Sequence, residues 1–108
     1  MGRVDQLQGT LELLILKTLD RGPNHGFGIT LHVETVSSGL LRLEEGSLYP
    51  ALHRLEKHKL VQGEWRQTEK ARRARFYTLT PAGRRRLAEA ERNWTAVSNG
   101  VRKVLRFA

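Results

Sequence analysis

The stretch EEGSLYPALHRLEKHKLV, residues Glu44–Val61, has the apolar spacing of a short helix with two very different faces. At 100° per residue, Leu48, Leu52 and Leu55 fall within roughly 60° of arc, which predicts one buried face. Pro50 lies about 200° from Leu48 on the same wheel. A proline is tolerated in the first turns of a helix, where its missing N–H group costs little, so we place it near the start.

The face opposite these leucines is polar and basic. We predict a helix that begins near Glu45 and ends near His58, with no carboxylate on its outward arc, because Glu56 is nearer to the leucines. Docking on duplex DNA requires such a face, although a merely solvated helix can share it. Ser47 and the helix N-terminus suit phosphate oxygens. The candidate DNA-binding residues here are Ser47, Tyr49, Pro50, His53, Arg54 and Lys57.

Two further helices are predicted before this one. The first runs from about Leu11 to Leu19, with Thr10 as its N-cap, and the turn RGPNHG ends it. The second has apolar residues at spacings of four and three, and it ends at the SSG of residues 37–39. Its apolar positions are Ile29, Val33 and Val36.

After residue 60 the apolar period changes from helical to alternating. Val61 and Glu64–Arg66 are typical of one strand and Ala74–Leu79 of a second, which predicts a β-hairpin with a charged tip. Residues 66–75 hold five cations and one acid, so the hairpin can lie along a phosphate backbone and add sequence-independent affinity, although solubility alone could explain the charge. The predicted phosphate contacts are Lys70, Arg72, Arg73 and Arg75.

The end of the chain is typical of one long helix, with Thr80 as its N-cap and Pro81 at the first helical position. Its apolar residues recur at alternating spacings of three and four, the a/d pattern of a coiled coil. A terminal helix has little of its own chain left to cover such a stripe, so we predict a homodimer rather than an intramolecular core stripe. This seam consists of Leu87, Ala90, Trp94, Val97, Val101 and Val104.

Trp94 is the largest residue of the seam. Its ring can pack in the dimer, or it can form one wall of a cavity for an effector, since an aromatic face suits planar or cationic ligands. The two roles stay open at this point.

The totals favour an anionic partner. The chain has 108 residues, a net charge of +8 and a pI near 10.8, which suits one domain that binds nucleic acid. It has no cysteine, its longest apolar run is too short to span a bilayer, and its start lacks a signal-peptide core. We therefore expect a soluble cytoplasmic protein.

No motif favours catalysis. The four histidines lack the spacing of a zinc-binding HExxH helix, and there is no glycine-rich phosphate loop. We expect no enzyme activity, no metal and no cofactor, and we expect each histidine at the surface or at a helix cap. Gly26 and Gly28 are better explained by close packing.

Three helices followed by a hairpin is the order of a winged helix-turn-helix, whose third helix enters the DNA major groove. The predicted fold is mainly α with a small β-hairpin: a DNA-binding domain over residues 1–80 and a dimerisation helix over residues 81–108. The alternative is a small basic RNA-binding or ribosome-associated protein. RNA recognition usually needs exposed aromatic residues, and the adjacent pair Phe76 and Tyr77 would have one ring hidden by strand alternation.

Three motifs, HGFGI, EEGSLYPALHRLEKHKLV and RRARFYTLTPAGRRRL, resemble the PadR family of transcriptional regulators, and the resemblance extends from Leu7 to about Leu105. It implies a winged-helix repressor that binds an inverted-repeat operator as a homodimer and is released by a small effector. It also implies roles in DNA binding for Tyr49 in the third helix and for the hairpin arginines. The single terminal helix is similar to the short-tailed branch of that family.

Two positions depart from the family pattern. Phe27 stands where relatives often have tyrosine, so this chain lacks that hydroxyl. Lys59 stands where relatives usually end the third helix with glycine. If that position is left-handed, the lysine Cβ costs roughly 1 kcal/mol.

Overall fold

The structure is a computed structural model that describes residues 2–107. The predicted order of three helices, a hairpin and a terminal helix is confirmed over this range. The elements are α1 (Gly2–Leu19), β1 (Asn24–His25), α2 (Gly26–Val36), α3 (Glu45–Lys57), β2 (Val61–Gln67), β3 (Arg73–Leu79) and α4 (Pro81–Phe107).

The predicted start of the first helix is wrong. Helix α1 begins at Gly2, so Thr10 lies inside the helix and is not its N-cap. The residues before Thr10 include arginine, glutamine and leucine and no proline, and these are good helix formers. Threonine is a frequent N-cap residue. It can also lie inside a helix when the residues before it form helix, as they do here.

Strand β1 was not predicted. It pairs antiparallel with β3, where Asn24 faces Tyr77 and His25 faces Phe76, and it makes the hairpin part of a three-stranded sheet in the order β1-β3-β2. A strand of two residues has no alternation to detect. Its existence depends on β3, which lies far along the chain.

The core forms where α3 meets α1, α2 and the base of the sheet. The predicted leucine face of α3 is confirmed as buried, and Leu52 has no exposed area. Burial of apolar surface contributes about 25 cal/mol per Å2 to the free energy of unfolding, so such side chains are the main source of stability. The fully buried large side chains are Ile15, Leu16, Leu19, Ile29, Leu48, Leu52 and Val61.

Thr80 fixes the beginning of α4 on the base of the hairpin. Its Oγ1 accepts a hydrogen bond from Gly83 N at 3.0 Å, which confirms the predicted N-cap. The same hydroxyl has two carbonyl oxygens within donating distance, that of Lys59 at 2.8 Å and that of Leu60 at 3.0 Å. A Cβ at Gly83 would lie against the carbonyl group of Leu60, so glycine allows α4 to approach this closely.

Ion pairs then hold the first turns of α4 against α1 and the turn that follows it. Arg84 lies 2.7 Å from Asp20, Arg86 lies 2.8 Å from Glu12, and a longer pair joins Lys17 to Glu91. Each exposed pair of this kind contributes little to the stability of the fold. Leu87 of the same helix is buried in the core and contributes more. The remaining turns of α4 extend from the core, and the molecule is 55 Å long in its longest dimension.

Candidate nucleic-acid interface

The outward face of α3 is exposed along its whole length. All six candidate residues of this helix are solvent-exposed, and the leucines on its other face anchor it in the core. The face is therefore available to a large, flat partner such as a duplex. The six exposed residues are Ser47, Tyr49, Pro50, His53, Arg54 and Lys57.

The N-terminus of α3 is less favourable to a phosphate than its sequence suggested. Glu44 is the N-cap residue, but its side chain makes no capping hydrogen bond, and Glu45 occupies the first turn. Two exposed carboxylates therefore lie beside Ser47. Their charge suits the helix dipole and opposes a phosphate oxygen. A phosphate contact by Ser47 stays a prediction, and the more basic end of the helix, at Arg54 and Lys57, is the stronger candidate.

Tyr49 has a defined position. A Cβ at Gly26, where α2 begins, would lie 2.5 Å from the hydroxyl oxygen of Tyr49 and 2.8 Å from two of its ring carbons. The ring thus lies directly on the glycine backbone while 47% of the residue stays exposed. This confirms that Gly26 allows close packing, and it holds the tyrosine at the edge of the outward face.

Helix α2 begins beside this contact. His25 is its N-cap, and the Nδ1 atom accepts a hydrogen bond from Gly28 N at 3.0 Å. The imidazole also meets the Phe76 ring edge to face, with 5.0 Å between the ring centroids. His25 therefore has the capping role predicted for histidines in this chain, and it ties α2 to β3.

The hairpin ends in a tight basic tip. Thr68 N donates to Arg72 O at 2.6 Å, and Ala71 takes a left-handed backbone conformation with φ of 60°. The side chains of Lys70 and Arg72 are exposed there. Arg73 is also exposed, with its guanidinium 5.3 Å from the centroid of the Trp65 ring, an arrangement that keeps the charge at the surface.

Arg75 differs from these three cations. Its Nη2 atom lies 2.6 Å from Oε2 of Glu56 on α3, and each of the two side chains is 32% exposed. The hydrogen bond to Glu56 raises the pKa of Arg75 above its ordinary value. A phosphate contact by Arg75 stays a prediction, but the residue already has an anionic partner within the chain.

The sequence reasoning missed the residues that surround Arg75. Glu56 was placed near the leucine side of the wheel without a partner, and Gly63 and Trp65 were given no role. Strand alternation holds the missing signal: Arg75 and Tyr77 share one face of β3, and Tyr77 is buried. A cation on that face points towards α3 rather than away from it.

The terminal seam divides into two parts. Leu87 belongs to the core of its own chain. Trp94, Val97, Val101 and Val104 are exposed, and so are Leu105 and Phe107 beyond them. The first seam residue thus has an intramolecular role, and the later ones form an apolar stripe that is exposed among the described side chains of residues 9–107.

The structure gives a backbone conformation for one departure from the family pattern and a position for the other. Lys59 has φ of 62°, so the position that ends α3 is left-handed and the predicted cost of its Cβ applies. Phe27 is exposed on α2.

Two further properties bear on the chemistry of the chain. Among the side chains that the structure describes, those of residues 9–107, no three from His, Asp or Glu lie close enough together to hold a metal ion. None of the helices in this range combines the length and the apolarity needed to cross a bilayer.

Two known proteins have sequences similar to parts of this chain or most of it. An uncharacterized 37.1 kDa protein in transposon TN4556 of Streptomyces fradiae is 41% identical over 90 residues, which are 83% of this chain and 24% of that protein. Transcriptional regulator Rv3488 of Mycobacterium tuberculosis is 41% identical over 68 residues, 63% of this chain and 60% of that regulator. The chain therefore spans about a quarter of the first relative and three fifths of the second.

The fold and a family model agree with these relatives. The crystal structure of a PadR family transcriptional regulator from Eggerthella lenta is similar, with a TM-score of 0.76 and 31% identity, and the match covers 96% of this chain and 89% of that one. The model of the Transcriptional regulator PadR-like family matches residues 15–89, from α1 into α4. This confirms the resemblance seen in the three motifs and the winged-helix fold. The chain belongs to the PadR-like family of transcriptional regulators.

Proposed function

We propose that the chain is a sequence-specific repressor that binds an inverted-repeat DNA operator as a homodimer. The observation that carries this proposal is the exposed basic face of α3, which stands beside a hairpin whose tip presents the exposed cations Lys70, Arg72 and Arg73. The face reads base edges in the major groove, and Lys70, Arg72 and Arg73 contact phosphates. This binding takes place in the cytoplasm.

The exposed part of the seam supports the homodimer. Its apolar side chains follow a coiled-coil spacing, and an identical helix with the same spacing can cover them. In this arrangement residues 1–80 dock on DNA and residues 81–108 join the protomers. A two-fold symmetric dimer places two α3 helices on half-sites about one helical turn, or roughly 34 Å, apart, which is why the operator is an inverted repeat.

A small effector releases the operator by binding between the terminal helices. Trp94 supports this part of the proposal because it is exposed on the seam, where an aromatic face suits planar or cationic molecules. Binding there would change the distance between the two α3 helices. Quenching of Trp94 fluorescence in a Trp65→Phe variant, together with loss of operator binding, would support it.

The proposal is tested by fluorescence anisotropy with three probes of equal length. They are a duplex carrying an inverted repeat from upstream of the gene, a scrambled duplex, and a single-stranded RNA. We expect tight binding to the first, weaker and more salt-sensitive binding to the second, and the weakest binding to the third. Preference for the RNA would favour the alternative of a small RNA-binding protein.

A further inference from the structure

The Glu56–Arg75 pair is placed differently from the neighbouring ion pair of the hairpin. Arg66 and Glu64 pair at 3.0 Å within β2. Arg75 instead reaches from β3 to Glu56 on α3, 2.6 Å away. It therefore bonds the helix that presents the exposed basic face to the hairpin that carries the phosphate-binding tip.

The hairpin is shaped to let Arg75 make this contact. Gly63 lies on β2 opposite Tyr77, two residues from Trp65, which pairs with Arg75. A Cβ at Gly63 would lie 2.9 Å from both Nε and Nη2 of Arg75, so the guanidinium crosses the strand where no side chain is present. Trp65, directly opposite Arg75, covers the group at 5.7 Å from the ring centroid.

The surroundings make this a firmer contact than an exposed ion pair. Both side chains are two-thirds covered, so water and salt screen them less than they screen a pair in open solvent. Burial raises the pKa of the neighbouring Tyr77, and the Glu56 carboxylate adds to that rise. A single short hydrogen bond between charged groups also fixes direction as well as distance.

We propose that Arg75 is a positioning residue for DNA recognition: through Glu56 it sets the angle between α3 and the hairpin, so that base contacts and phosphate contacts are made together. It also neutralises a carboxylate beside the DNA-facing arc. Arg75 thus differs in role from Lys70, Arg72 and Arg73. This inference rests on the proposed function and adds to it the residues that align its two binding surfaces.

The decisive variant is Glu56→Gln, because the two possible roles of Arg75 give opposite results. If Arg75 positions the hairpin, operator affinity falls by about tenfold relative to random duplex, since a contact between neighbouring groups has been lost. If Arg75 were a phosphate ligand restrained by Glu56, the same variant would bind both duplexes more tightly and leave the ratio of the two affinities unchanged. Its salt dependence would also become steeper.

A second variant removes the geometry and leaves every charge in place. In Gly63→Ala the new methyl group displaces the flexible end of Arg75, while alanine remains compatible with a strand. We expect the same loss of operator preference with an unchanged salt slope. Glu64→Gln is the matched control: it removes one carboxylate from the hairpin but leaves the α3 contact intact, so the ratio of the two affinities should stay the same.

A double variant tests whether the two residues act as one unit. Glu56→Gln with Arg75→Gln should lose no more operator preference than the more severe single variant, because either change removes the same contact. Additive losses would overturn the positioning role. Circular dichroism and thermal melting of each variant show that the comparison concerns folded protein.

The outcomes also separate this inference from the function on which it rests. A wild-type protein without preference for the operator overturns both. A wild-type preference that Glu56→Gln and Gly63→Ala leave unchanged overturns the positioning role alone, whatever the change in overall affinity.

Discussion

Helices α3 and α4 carry apolar residues at the same spacings of three and four, but the chain covers one stripe and leaves most of the other exposed. Leu52 of α3 has no exposed area, whereas Val104 of α4 is 65% exposed. Helix α3 has α1 on one side and β2 on another, whereas α4 contributes Leu87, close to its beginning, to the same core. Spacing determines which residues share a face, and the surrounding fold determines whether that face needs a second chain.

The largest effect is expected where the exposed stripe is given a charge. Val101→Glu would place a carboxylate against its copy across the dimer axis, and burying it unpaired costs several kcal/mol. The variant should be monomeric in size-exclusion chromatography with light scattering, and the wild type dimeric. Asn99→Glu, on the opposite face of the same helix, is the control and should stay dimeric. A monomeric wild type at micromolar concentration would contradict the prediction that the seam forms a dimer interface.

The covered stripe of α3 predicts the next largest effect. Leu52→Ala leaves a cavity in the core, so the free energy of unfolding should fall by about 2–5 kcal/mol. Val104→Ala, made in the Val101→Glu monomer, should change it by less than about 0.5 kcal/mol, since that side chain is exposed in a single chain. Urea denaturation at one protein concentration compares the two. Equal decreases in the free energy of unfolding would mean that the two stripes contribute equally to the stability of a single chain.

The same contrast explains which structural features of this protein can be predicted from its sequence. The inward face of α3 and the cap at Thr80 depend on residues close together in the chain, and both were predicted correctly. Strand β1 depends on a pairing with β3, and the hydrogen bond from Arg75 to Glu56 spans 19 positions. Periodicity within one element cannot reveal such contacts.

The candidate DNA surface shows the same limit at the level of single side chains. The wheel of α3 correctly predicts that its six candidate residues are exposed, because exposure follows from the buried face opposite. It does not show that Tyr49 rests on Gly26, or that one hairpin arginine of four is engaged by the helix. Those facts need the relative placement of α2, α3 and β3, which local patterns do not specify.

The outward face of α3 provides the third prediction. Arg54→Ala should weaken operator binding by about 1–3 kcal/mol and affect random duplex much less, because non-specific binding depends on charge in general. Tyr49→Ala should behave alike, with Tyr49→Phe separating the hydroxyl from the ring that rests on Gly26. Anisotropy at fixed salt measures both affinities, and Lys103→Ala on α4 controls for lost charge. Equal losses on the two duplexes would show that this face positions the protein without reading bases.

The smallest effect is expected at the hairpin tip, where binding is electrostatic and independent of sequence. Arg72 is exposed there, so its replacement by alanine should weaken binding to operator and random duplex alike. The slope of log K against log salt should become shallower by about 1 for each bound protomer, because one phosphate contact releases about one counterion. Arg102→Ala removes the same charge from α4, where Arg102 bonds to Asn99, and should leave the slope unchanged. An unchanged slope for both Arg72→Ala and Arg73→Ala would place the hairpin away from the DNA backbone, and α3 would then bind without it.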